Sequence, residues 1–172
     1  MWDPHAMLEI FVVAVLPALV VVAAVSDLMT MTIPNRLVLA LVAAFAVAAP
    51  LSGMGLSQLG AHLAASALVL AVGFALFAPG WIGGGDAKLA AAIALWLGFE
   101  PLLAWFVSFA MLGGALTLGM MFYRGQPLPP SFSGVGWLAR LHQPKCGVPY
   151  GVALSAGTLA LWPDTSWFSS LV

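Results

Sequence analysis

Charge is nearly missing from this chain: among 172 residues there are five Lys and Arg and six Asp and Glu, 6% in all. A soluble globule carries about a quarter charged residues, so that class is excluded. The net charge of −1 supplies no basic surface, and no nucleic-acid partner is expected. Cysteine is scarcer still. Cys146 stands alone, which excludes an internal disulfide and a C-x-x-C zinc pair. His142 lies four residues before it, but two ligands fall short of the about four of a closed zinc site, so no metal or other cofactor is expected. A cationic start is absent too: residues 1–8 carry Asp3 and no Lys or Arg, so the first apolar run reads as a retained span, not a cleaved signal. What is present is oil, 63% hydrophobic residues with a mean hydropathy of +1.08. Residues 1–172 read as one integral domain whose surroundings are the lipid bilayer.

The fold expected is all-α and polytopic, with about six transmembrane helices: 8–26, 36–49, 59–78, 87–99, 102–123 and 148–162. A turn at 27–35 contains Pro34, which biases Ile33 away from helix and suits a helix's first turn. The polar, Pro-rich stretch 124–147 reads as a loop. The fourth and sixth segments are short of the about 20 residues of a full crossing. Charge placement argues for counting them. With six crossings, Arg36, Lys88, Arg124, Arg140 and Lys145 all fall on one side, and Asp3, Glu9, Glu100 and Asp164 on or near the other. Basic residues mark the cytoplasmic face, which puts both termini opposite.

The same count brings Asp27 and Asp86 to the cytoplasmic edge, each at the end of an apolar segment. Ionisable residues beside membrane spans are candidates for function. Two carboxylates in one site share a proton, so one can activate water while the other polarises a peptide carbonyl. The glycines of Gly83-Gly84-Gly85-Asp86 lack Cβ atoms, so a substrate backbone can approach, and positive φ is open to them; Gly83 and Gly85 are candidate substrate contacts. The plainer reading makes Asp86 an N-cap and Asp27 a solvated loop acid. Lys88 and Arg36 read as snorkelling, orientation-setting charges. His5, His62, Glu100 and Asp164 lie away from the proposed site.

Gly83-Gly84-Gly85-Asp86 matches the G-x-G-D signature of membrane aspartyl proteases, and Ala87-Lys88-Leu89 extends it. With Ser26-Asp27-Leu28, Ile33-Pro34-Asn35 and the late Val148-Pro149-Tyr150-Gly151, the chain resembles the type IV prepilin peptidase family over nearly its whole length. That resemblance implies a bacterial inner-membrane aspartic endopeptidase that removes a short basic leader from prepilin or pseudopilin precursors at the cytoplasmic face. Asp27 and Asp86 match its catalytic aspartates, and Gly83 and Gly85 its motif glycines. Pro149, Tyr150 and Gly151 match a late helix start to which the sequence assigns no role. Long members of the family carry an insertion with two C-x-x-C pairs associated with N-methylation; Cys146 stands alone here, so methyl transfer is not expected. The short form resembles the peptidases of Flp-type, tight-adherence pili. Presenilin-like proteases share G-x-G-D but have a tyrosine before the first aspartate, where this chain has Ser26, and a late P-A-L that it lacks. Two rival readings remain: a small proton-coupled transporter using both acids as a relay, which expects acids deep in the spans, and a non-catalytic assembly factor.

Overall fold

The computed structural model describes residues 4–128 and 134–169. Its helices are α1 (Pro4–Thr30), α2 (Asn35–Leu51), α3 (Leu56–Phe77), α4 (Gly84–Leu97), α5 (Leu102–Gly125), α6 (Gly136–Leu141), α7 (Tyr150–Leu161) and α8 (Ser166–Ser169), with a 3-10 turn at Trp162–Asp164. No strand occurs among the described residues. Such a chain suits lipid, where each backbone polar group must be satisfied internally. The protein is all-α and polytopic: Val12–Thr30, Leu56–Phe77 and Leu102–Gly125 are long and apolar enough to cross a bilayer, and Asn35–Leu51 is a shorter apolar helix. All six expected segments form helices. The stretch 124–147, expected as loop, contains the additional helix α6. Asp3 and the side chains of His5 and Glu9 lie outside what is described.

Four helices enclose the centre. α1 packs on α2 and α7, α2 on α4, and α4 on α7, with α3 laid along α4 and α5 along α7. The outer pair faces lipid, and only 11% of each of the α3 and α5 spans is buried. The inner pair is the opposite: Ala91 to Leu97 of α4 is buried without interruption, and half of the residues of α7 are buried. Glycine makes these contacts close. A Cβ on Gly73 of α3 would lie 3.0 Å from the Ala87 Cβ of α4, and one on Gly157 of α7 2.9 Å from the Phe109 Cβ of α5. Small residues at crossings are how membrane helices gain packing without a strong hydrophobic drive.

The end away from the aspartates is closed by aromatic rings that also satisfy stray carbonyls. Pro17 sits inside α1 and has no N–H for the Val13 carbonyl; the Trp162 indole N–H donates to it instead at 2.8 Å. The last carbonyls of α4 lack helical partners. His62 Nδ1 donates to Leu95 O at 2.8 Å and Trp167 Nε1 to Trp96 O at 2.6 Å. Trp96, fully buried, donates to Leu41 O at 3.0 Å, and its ring meets Phe45, Trp162 and Trp167. His62 is thus part of a structural plug, remote from the aspartates as expected.

Candidate active site

Asp27 is not in the turn that the sequence suggests. α1 runs on through Asp27, Leu28 and Met29 to Thr30, and stops only where Met31 takes φ +55 with its N–H on Asp27 O at 2.7 Å. The polar groups after Asp27 sustain this last turn locally. Thr30 Oγ1 donates to Ser26 O at 2.7 Å, and Ser26 Oγ reaches forward to Thr32 O at 2.9 Å. The chain then extends through Ile33 and Pro34, and Pro34 serves as the N-cap of α2 at φ −63, ψ 137, not as its first helical residue.

Asp86 comes from the other side, in the first turn of α4. Its N-cap is Gly83, three residues earlier, and the Gly83 backbone N–H lies close enough to the Asp86 carboxylate to favour its ionised form. Asp86 is therefore not the N-cap of its helix but sits three residues inside it. A Cβ on Gly83 would meet the Asp86 Oδ2 at 2.8 Å, and one on Gly85 the Ile33 Cβ at 3.3 Å. The triple glycine is used for its missing side chains. Positive φ, which the sequence also leaves open, occurs instead at Gly53, Gly80 and Gly98.

Asp27 and Asp86 line one cavity of about 380 Å³, together with Met31, Thr32, Ile33, Asn35, Lys88 and the three glycines. Asp27 is 5% exposed, and its Oδ2 accepts the backbone N–H of Gly151 at 2.7 Å. Asp86 lies in the first turn of α4, outside the three membrane-crossing segments. Burial and then the Asp27 charge push its carboxyl up to about 6, against the opposing Gly83 N–H. A carboxyl so placed carries a proton near neutral pH more readily than an ordinary one. Lys88 Nζ, on the exposed side of α4, donates to Asn35 Oδ1 at 3.1 Å and ties the I-P-N turn to the glycine turn. Arg36 is exposed and does not line the cavity.

The third approach to the site is the start of α7, to which the sequence assigns no role. Pro149 is its N-cap. The Tyr150 hydroxyl pairs with Thr117 Oγ1 at 3.1 Å, and its ring lies where a Cβ on Gly113 would be 3.0 Å away, so Tyr150 docks α7 on α5. Gly151 faces Asp27 and Ile33. Ile33, buried, thus wedges between the glycine starts of both short inner helices, Gly85 on α4 and Gly151 on α7. The segment before α7 is tied down as well. Arg124 donates to Leu141 O at 2.9 Å and Gly147 O at 2.8 Å, and Arg140 of α6 donates to the Met29 carbonyl at the end of α1. His142 Nε2 donates to Gln126 O at 2.8 Å, and Glu100 and Asp164 are exposed beyond the opposite ends of α4 and α7.

Residues 14–118, which contain both aspartates, match the model of the type IV leader peptidase family. Over 144 residues the chain is 38% identical to the prepilin leader peptidase/N-methyltransferase of Bacillus subtilis (strain 168), covering 78% of this chain and 57% of that protein. It therefore spans little more than half the length of that relative. No solved structure matches it. With the family model covering most of the chain and the paired aspartates inside the match, the chain belongs to the type IV leader peptidase family.

Proposed function

We propose that this chain is an aspartic endopeptidase that removes the N-terminal leader of a type IV prepilin-like precursor, with Asp27 and Asp86 as its catalytic pair. The observation that carries the reading is the meeting of these two carboxylates on one cavity from helices 59 positions apart. Membership of the leader peptidase family and the name of the Bacillus relative support the substrate class.

The chemistry needs one proton on the pair. The ionised carboxylate takes a proton from a water as its oxygen adds to the scissile carbonyl carbon, and the protonated partner donates to the carbonyl oxygen. When the C–N bond breaks, the leaving amine takes a proton from one carboxyl while the other carboxylate takes the proton of a gem-diol hydroxyl as the carbonyl re-forms, so the pair ends with one proton. The pair titrates as a unit, so neither step is tied to one residue. Gly83 and Gly85 line the same cavity as both aspartates, which keeps them candidate substrate contacts.

A prepilin joins a basic leader to an apolar helix, so its scissile bond falls where a membrane edge would be. Charge distribution favours the cytoplasmic edge, since Arg36, Lys88, Arg124, Arg140 and Lys145 gather at the aspartate end and both chain termini then lie opposite. We take a Flp-type pilin as the substrate and leader removal as the reaction; the cysteine pairs that the family resemblance associates with methyl transfer do not occur among these 172 residues, where Cys146 is the sole cysteine. The test is co-expression with such a precursor, with leader loss read by electrophoretic mobility. Wild type is expected to process it, while Asp27→Asn and Asp86→Asn each insert normally and leave it uncut. Processing by either variant would overturn the pair, and proton flux through vesicles without cleavage would support a proton relay instead.

A further inference from the structure

Asp27 faces an electrostatic problem that its own helix cannot solve. It lies in the last turn of α1, where the aligned backbone carbonyls disfavour a carboxylate, and it is 5% exposed. Its fixed donor comes from the sequence-distant start of α7, the Gly151 N–H at 2.7 Å, one of the amides that a helix start leaves without an internal partner. The approach is possible only because residue 151 has no side chain. A Cβ there would lie 2.8 Å from Asp27 Oδ2, 3.0 Å from Asp27 Cβ and 3.0 Å from Ile33 Cδ1. Two of those neighbours, Asp27 Cβ and the wedged Ile33, have little room to yield. The donor is itself held, by buried Pro149, by Tyr150 against α5, and by Arg124 on the Gly147 carbonyl.

We propose that Gly151 is the positioning residue of Asp27: its backbone N–H fixes the orientation of the carboxylate, and its missing side chain is what lets α7 start against it. The proposal takes Asp27 as catalytic and so rests on the function given above. It places the late V-P-Y-G motif in the machinery: Val148 and Pro149 deliver the helix start, Tyr150 anchors it, and Gly151 makes the contact. Gly157, two turns along the same helix, is a natural contrast. A Cβ there would be 2.9 Å from the Phe109 Cβ and 3.0 Å from the Phe109 backbone N, a close contact that involves neither aspartate.

Gly151→Ala in the full chain is expected to lower kcat about 100-fold, the scale of an ångström's misplacement of a catalytic group, with KM within about twofold. Gly157→Ala is expected to lower the melting temperature and keep the kcat of the folded enzyme. A second reading needs no cleavage: the melting temperature of Gly151→Ala is measured in wild-type and Asp27→Ala backgrounds. Because the crowded partner is the Asp27 carboxylate, the loss is expected to be smaller when that carboxylate is gone. Equal losses in both backgrounds, or a Gly151→Ala enzyme with wild-type kcat, would overturn the proposal. Should Gly151→Ala not accumulate alone, its accumulation with Asp27→Ala supports the contact, and its absence from both backgrounds overturns it.

Discussion

Replacing Asp86 by Asn is expected to destroy activity and yet make the protein more stable, by an amount that depends on pH. The carboxyl rises from its ordinary 3.8 to about 6 in the folded state, chiefly through burial and then through the Asp27 charge. A rise of that size sets ~3 kcal/mol against the ionised form. Asp86 is only part-buried and water screens it, so a gain of ~1–2 kcal/mol on removing the charge is the expectation. Asn keeps an oxygen that can face the Gly83 N–H, so that contact survives. The folded state holds the proton more tightly than the unfolded chain does, so wild type loses stability relative to Asn as pH rises from 3.8 through about 6. Below 3.8 both side chains are neutral and the two proteins should melt alike. At about pH 8 the variant should melt higher by ~2–8 °C for a chain of this size. The assay is thermal unfolding in mild detergent across that pH range. An Asn variant that melts lower at high pH, or whose gain is the same at all pH values, would refute the electrostatic account of the site.

Three further outcomes follow from the packing. Gly73→Ala places a methyl 3.0 Å from the Ala87 Cβ, one residue past Asp86, and should cost ~1–3 kcal/mol in thermal stability and also lower kcat, since α4 carries the aspartate. Trp96→Phe removes the donor to Leu41 O and part of the aromatic plug; ~2–4 kcal/mol of stability should be lost, with KM of the folded enzyme unchanged. For sidedness, in a Cys146→Ser background a cysteine at Lys145 should be labelled by membrane-impermeant reagents from the cytoplasmic side only, and one at Glu100 from the opposite side only. Labelling of both from one side would refute the six-crossing reading.

The acids and glycines of the site were legible because a chain this poor in charge makes each ionisable residue conspicuous. The segments were legible because apolar runs between Pro, Gly and charge have few other fates in lipid. What stayed hidden depends on contacts between distant positions. Nothing near Asp27 in sequence announces the Gly151 amide, 124 residues later, and a glycine at a helix start has many reasons to be there. Likewise, nothing near Pro17 in sequence announces the Trp162 indole that takes the carbonyl it frees. The end of α1 differs from the expected one for a local reason: Asp27 reads as a turn residue, but the Ser26 and Thr30 hydroxyls and the left-handed Met31 carry the helix one turn further. The triple glycine is conspicuous in the sequence, but its value here is close approach to Asp86 and Ile33, not backbone freedom.

The most direct test of the central claim uses purified protein in liposomes with a synthetic prepilin peptide comprising a basic leader and the start of its apolar helix. Mass spectrometry of the products should show a single cut at the leader boundary, with the new amine unmethylated, and no cut with Asp27→Asn or Asp86→Asn. An intact peptide with the wild-type protein, or the same cut with either variant, would contradict the account.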